Sequence, residues 1–204
     1  GWNAVSASSS NDKLITASAI GGTVETTFSV TVSQLAKAQV STSDALSAAG
    51  AVGEGTLKIE TGKWSAGSFA VGTSPSIDVD VTSTDTLADI AGKINGANAG
   101  VTATILTDTG GQRLMLRSKA TGEDAGFRIS VIDNDGDLGD GAGLSRLSNG
   151  LNTDPGVNAA ANAKAKINGV YDVTSATNTF ENAVAGVTFK AVDVTSTAVD
   201  ITVS

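Results

Sequence analysis

Apolar and polar residues alternate with a period of two along much of the chain, the mark of strands with one buried face. Val24, Thr26, Phe28, Val30 and Val32 share one side, while Glu25, Thr27, Ser29, Thr31 and Ser33 share the other. The same rule sets Leu57 and Ile59 against Lys58 and Glu60, and Ile77, Val79 and Val81 against Asp78, Asp80 and Thr82. It also sets Phe127, Ile129 and Val131 against Arg128 and Ser130, and Val199, Ile201 and Val203 against Asp200 and Thr202. Weaker alternation predicts further strands over 101–107, 112–118, 164–170 and 187–194. The fold is expected to be mainly β.

One stretch follows a different period. Between Asp85 and Asn98 the apolar residues Leu87, Ile90, Ala91 and Ile94 recur at three- and four-residue steps, which predicts an amphipathic helix over 85–98. Thr86 and Asp89 have the spacing of a capping box, and Gly96 or Gly100 can end the helix. A shorter helical turn is predicted over 179–185, with Asn178 and Glu181 as its cap, Phe180 and Val184 one turn apart, and Gly186 as its stop.

Two stretches rich in small residues, Val40 to Gly55 and 148–163, read as connectors. The strand-rich block 56–147 between them then stands as a unit. The outer segments each carry too few strands to bury a core and must pair with one another. The expected fold class is α+β, mainly β: two β-rich domains, one inserted in a loop of the other. Residues 1–39 with 160–204 form the discontinuous domain, and 40–159 form the inserted one, which holds the helix.

Composition narrows the chemistry. The 204 residues include no Cys and no His, and Ala, Gly, Ser and Thr supply about half of them. Disulfides, thiolate nucleophiles, Cys- or His-ligated metals and Ser-His-Asp catalysis are therefore excluded. Only carboxylates, Lys and Tyr remain for proton transfer. A net charge of −8 with scattered basic residues argues against nucleic acid. No apolar run reaches the roughly 18 residues of a membrane span. The start, Gly1-Trp2-Asn3-Ala4, has neither an initiator Met nor a signal-peptide pattern and reads as that of an excised fragment.

Asp133-Asn134-Asp135-Gly136-Asp137-Leu138-Gly139-Asp140-Gly141 is an acid- and Gly-rich loop in which alternate carboxylates can converge on Ca²⁺. It departs from the EF-hand pattern, with Leu138 where Gly is needed and Leu144 where Glu should close the shell. A solvated turn is the favoured reading. Calorimetric titration without heat in millimolar Ca²⁺ would dispose of a site. Asp78 and Asp80 read as solvent-facing, and no two acids have the spacing of a glycosidase pair. Thr109-Gly110-Gly111-Gln112 reads as a hairpin turn and not as a phosphate loop. Trp2 and Trp64 are the bulkiest residues; Trp64 reads as packing at a domain edge, with contact to a partner or sugar as the alternative.

The order of motifs resembles the flagellar filament cap protein family, also called hook-associated protein 2 or FliD. The matching stretches are Phe28-Ser-Val-Thr-Val-Ser-Gln-Leu-Ala-Lys-Ala-Gln39, Gly55-Thr-Leu-Lys-Ile59, and Asp85-Thr-Leu-Ala-Asp-Ile-Ala-Gly-Lys-Ile-Asn95 running into Ala99-Gly-Val-Thr-Ala103. They continue with Arg113-Leu-Met-Leu-Arg-Ser-Lys-Ala-Thr-Gly122, Gly143-Leu-Ser145, Ala165-Lys-Ile-Asn-Gly169 and Ala185-Gly-Val-Thr-Phe189. The resemblance implies the two outer domains of the cap, without the terminal helical segments that engage the filament. It implies a structural assembly factor in which copies form a ring-shaped plate at the flagellum tip, holding back exported flagellin and guiding its incorporation. Some members of the family also act as adhesins, which adds host surface glycans or proteins as partners. Export through the flagellar channel, without a cleaved signal peptide, fits a chain that lacks disulfides.

The reading is thus a structural, non-enzymatic, extracellular module with no catalytic, cofactor or metal residues. Its partners are copies of itself, flagellin and the filament tip, with no nucleic acid and no membrane. The matching motif residues Leu35, Leu87, Ile90 and Ile94 are expected in the core. Two rivals stand beside it: an adhesin or carbohydrate-binding module centred on Trp64, and an extracellular hydrolase or lyase working through carboxylates alone. Without the family's helical segments, the chain is expected to be a monomer or weak oligomer in solution.

Overall fold

A computed structural model describes residues 4–46, 49–134 and 143–204. In chain order the strands are β1 (Ala7–Ser9), β2 (Ile15–Ala19), β3 (Thr26–Gln34), β4 (Val40–Thr42), β5 (Gly55–Ser65), β6 (Ser68–Val71) and β7 (Ile77–Val81). Helix α1 (Leu87–Gly96) follows, then β8 (Val101–Asp108), β9 (Gly111–Ser118) and β10 (Gly126–Asp133). The last five are β11 (Ala163–Ile167), β12 (Tyr171–Ser175), β13 (Thr179–Glu181), β14 (Val187–Ala191) and β15 (Val199–Val203). The chain divides into two compact units, Gly1–Lys37 with Ala161–Ser204, and Ala38–Ala160.

The first unit has two antiparallel sheets, ordered β1-β15-β3-β11-β12 and β13-β14-β2. β3 keeps the alternation read from the sequence: Phe28, Val30 and Val32 are buried while Ser29, Thr31 and Ser33 face outward. Val24 departs from that reading. It precedes the strand and is 79% exposed, because pairing with β15 begins only at Thr26. Both sheets contribute to one apolar core, in which Phe189 of β14 stacks on Phe180 of β13 and approaches Phe28 of β3. This is the face-to-face packing of a sandwich. β11 turns into β12 at Asn168 and Gly169, with φ of 52° and 71°, the left-handed pair that a tight primed hairpin turn requires. The helical turn read over 179–185 is instead strand β13 followed by a turn. Phe180 gains more by stacking in the core than so short a helix could gain from its cap.

In the second unit, β5 is the spine. It pairs with β10 along one edge, and on the other with β7 at its start and β6 at its end. A second sheet runs β4-β9-β8. Helix α1 forms where the three- and four-residue spacing predicts. Thr86 accepts from the Asp89 amide, and Asp89 accepts in return from the Thr86 amide, closing the capping box. Its buried face of Leu87, Ile90, Ala91 and Ile94 packs into a core shared with β5, β7, β8, β9 and β10. Each of the three large residues contributes about 1.5–3 kcal/mol by leaving water. Asn95, at the helix end, clamps the edge of β8: its amide donates to the Ala103 carbonyl and accepts from the Ala103 N–H, at 2.9 and 2.7 Å. The stretches read as connectors are partly structural, since Ser41, Ser43, Leu46, Val52 and Leu151 are all buried.

Gly92 lies mid-helix on the exposed face, with nothing near the position a Cβ would take. Gly92→Ala is expected to stabilise the second unit by about 0.5–1 kcal/mol, through the backbone entropy it removes from the unfolded chain. Urea unfolding with unchanged slope checks it.

Candidate assembly surfaces

The period-two geometry of β5 sends Glu60, Gly62 and Trp64 to the side opposite Leu57 and Ile59. Register then assembles a cluster on that outer face. Arg128 of β10 stands opposite Glu60, and Phe69 of β6 stands opposite Trp64. The Arg128 Nε donates to Glu60 Oε1 at 2.9 Å, and its guanidinium lies 4.9 Å from the Phe69 ring centroid. Trp64 meets Phe69 edge-on at 5.1 Å, and its indole N–H donates to the Phe127 carbonyl at 2.9 Å. Glu60 is 8% exposed while the Arg128 side chain is 32% exposed, so the ion pair is partly shielded from water. Trp64 is thus packed at a hairpin and half-exposed at the same time. Half-exposed Trp and Arg in one patch have the composition of contact residues. Sequence reasoning singled out Trp64 alone; its partners lie up to 64 residues away and carry no local motif.

The other sequence candidates are dispersed. Asp133 is buried, and its carboxylate accepts from the Ser145 amide at 2.9 Å. The rest of the acid-rich loop, Asp135 to Asp140, lies outside the described residues. Asp78 and Asp80 are exposed on β7, opposite Lys58 and Thr56. Thr109 and Gly110 close the β8–β9 hairpin, where Asp108 accepts from the Gly110 amide and pairs with Arg113 at 2.9 Å. No group of three acids among the described residues is placed to hold a metal ion.

Two carboxylates sit below their ordinary range. Asp85 is held low first by Lys93, at 2.6 Å, and then by the Thr82 amide. Asp108 is held low first by the Gly110 amide and also by Arg113. A carboxylate whose folded pKa is lowered adds stability above its unfolded value of about 3.9, and loses it as pH falls through the folded value. The urea midpoint of the second unit is therefore expected to fall as pH drops below about 4. Asp85→Asn is expected to flatten that dependence; an unchanged profile would contradict it.

On the first unit, Thr27, Ser29, Thr31 and Ser33 form a hydroxyl-lined outer face, beside Lys164 and Lys166 of β11. An open, mostly polar groove of about 550 Å³ runs between β12 and β13, over Val173, Ser175, Thr177, Phe180 and Glu181. Ile20 and Val24 are exposed between β2 and β3, and Tyr171 is exposed at the start of β12. Charge is unevenly divided: residues 38–160 carry 15 acids and 8 bases, the remainder 6 and 5.

Two β-rich units that present surfaces, with Glu60, Asp85, Asp89 and Asp108 held in ion pairs, a helix cap and a hairpin, have the character of a protein that works through contacts. Residues 1–39 match the family model for the N-terminus of flagellar hook-associated protein 2, and residues 68–120 match the flagellin hook IN motif. The chain is 33% identical over 211 residues to the B-type flagellar hook-associated protein 2 of Pseudomonas aeruginosa, covering 97% of this chain and 42% of that protein. Among solved structures, FliD (HAP2) from Pseudomonas aeruginosa PAO1 aligns with a TM-score of 0.75 and 30% identity, over 95% of this chain and 85% of that one. The D2-D3 domains of the flagellar cap protein FliD from Escherichia coli align with a TM-score of 0.76 and 28% identity, over 98% and 99%. The chain belongs to the flagellar hook-associated protein 2 (FliD) family, and it spans less than half the length of the Pseudomonas aeruginosa B-type protein.

Proposed function

We propose that this chain forms the outer plate of a flagellar filament cap, a structural, non-enzymatic part that keeps exported flagellin at the filament tip and guides its incorporation. The observation that carries this reading is the alignment of both units together with the D2-D3 domains of a flagellar cap protein, over nearly the whole of each chain. The partners are other copies of the protein, flagellin and the filament end, and the location is the extracellular tip of the flagellum. The two units act as separately folding domains, the discontinuous 1–37 with 161–204 and the inserted 38–160.

Work in such a plate is done by shape and surface. A closed ring needs heterologous contacts, in which one face of each copy meets a different face of its neighbour. The hydroxyl-lined outer sheet of the first unit suits modest, hydrated contacts that can rearrange as subunits are added. The acidic second unit favours solubility and keeps like units apart.

The test is complementation. A full-length cap protein carrying these two units, expressed in a cap-deficient strain, is expected to restore filament growth, with electron microscopy showing it at filament ends. Restored flagellin secretion without filaments, or label away from the tip, overturns the reading. The isolated chain is expected to be a monomer or weak oligomer, and light scattering showing a stable ring at micromolar concentration contradicts that.

A further inference from the structure

Gln39 is the second residue of the inserted unit and is fully buried. Its side chain bonds at both ends. Oε1 accepts from the Phe127 amide at 2.9 Å, while Nε2 donates to the Phe127 carbonyl at 2.8 Å and to Ser41 Oγ at 2.9 Å. Its own backbone is tied to Ser118, donating to the hydroxyl at 2.9 Å and accepting from the amide at 3.0 Å. Gln39 therefore joins the start of β10, in one sheet, to the end of β9, in the other. The chain beyond it, through β4 to Leu46, is held along β9 by pairing with Met115 to Arg117 and by amide bonds from Ser43 and Leu46 to the Leu114 and Gln112 carbonyls.

The Phe127 carbonyl that receives Gln39 also receives the Trp64 indole N–H. One acceptor thus serves two donors of different standing. One belongs to the buried leading segment of the unit and the other to the half-exposed cluster of Trp64, Phe69 and Arg128. Side chains in one hydrogen-bonded network are energetically coupled, and the coupling is reciprocal.

We propose that the Phe127 carbonyl is a coupling point, through which the Trp64–Phe69–Arg128 cluster and the segment 38–46 hold each other in place. Displacing the indole loosens the segment at which the chain enters the second unit. Releasing Gln39 in turn loosens the indole. This coupling is independent of whether the plate reading is correct. Gln39 and Trp64 are positioning residues, since each acts through Phe127.

The decisive variant is Trp64→Phe, which keeps a ring against Phe69 and removes the N–H donor together with the second ring of the indole. Native-state amide exchange of the whole chain is expected to quicken at residues 39–43 by about fivefold, the equivalent of one net hydrogen bond, with β7 amides unchanged. In a Trp2→Phe background, Gln39→Met, which keeps volume and length but loses all the side-chain bonds, is expected to shift Trp64 emission to longer wavelength. Unchanged exchange at 39–43 in Trp64→Phe overturns the proposal. So does an equal rise across every amide of the second unit, because that marks loss of global stability without a local coupling. Should Gln39→Met fail to fold, the Trp64→Phe exchange pattern alone decides.

Discussion

Removing residues 161–204 is expected to abolish the first unit entirely while leaving residues 38–160 folded. Each N-terminal strand of that unit takes partners from the C-terminal segment: β1 pairs with β15, β2 with β14, and β3 with β15 and β11. β3 sits between two of them, so the deletion strips both of its edges and exposes Phe28, Val30 and Val32 at once. A segment of three strands with no partner sheet cannot repay the backbone entropy of ordering it, about 1–2 kcal/mol per residue. In the truncated chain the amides of residues 15–34 are expected to exchange at unfolded-chain rates, while those of β5, β9 and β10 keep their protection. Protection persisting in β3 would mean that the N-terminal strands form a sheet without these partners, contrary to the register described.

The elements that could be read from the sequence are those whose signal is local. β3, β5, β7, β10 and β15 each alternate over their own residues, and α1 carries its cap within four positions. The misread stretch, 179–185, shows why locality fails. Phe180 and Val184 have helical spacing and Asn178 and Glu181 have cap spacing, yet Asn182, in the middle of the stretch, adopts a φ of 58°, which breaks a helix there. What decides the conformation is Phe189, nine positions on, against which Phe180 stacks. Tertiary packing overrides a weak local preference when the segment is only a turn long.

The outer patch was legible only at Trp64. Glu60 and Arg128 are read from the sequence merely as polar positions of two strands, and register alone brings them together. Gln39 is harder still. A Gln beside a small-residue stretch reads as solvent-exposed, and its burial follows from Phe127, 88 residues away, whose amide and carbonyl both bond to its side chain. Polar residues that satisfy a distant backbone leave no periodic trace. Family resemblance did reach this residue, as the last position of a matching motif, but only the structure assigns it a task.

Phe189→Ala is expected to be the most damaging single substitution in the first unit. The ring is 1% exposed on β14, the middle strand of the three-stranded sheet. Its centroid lies 4.8 Å from Phe180, nearly parallel at 13°, and 6.5 Å from Phe28 in the facing sheet. It is thus the side chain through which aromatic contact passes from one sheet to the other. Truncation removes the buried ring and leaves a cavity between two sheets whose hydrogen-bonded backbones cannot close over it, a loss of about 3–5 kcal/mol. For a unit of this size that corresponds to a fall in melting temperature of about 12–40 °C, enough to leave it largely unfolded under ordinary conditions. Phe189→Leu keeps most of the volume and is expected to cost about half as much. The second unit has its own core, so calorimetry on Phe189→Ala is expected to show one transition lost or sharply lowered and the other unmoved. A single shifted transition for the whole chain would show instead that the two cores unfold as one, and would remove the basis for treating them as separate domains.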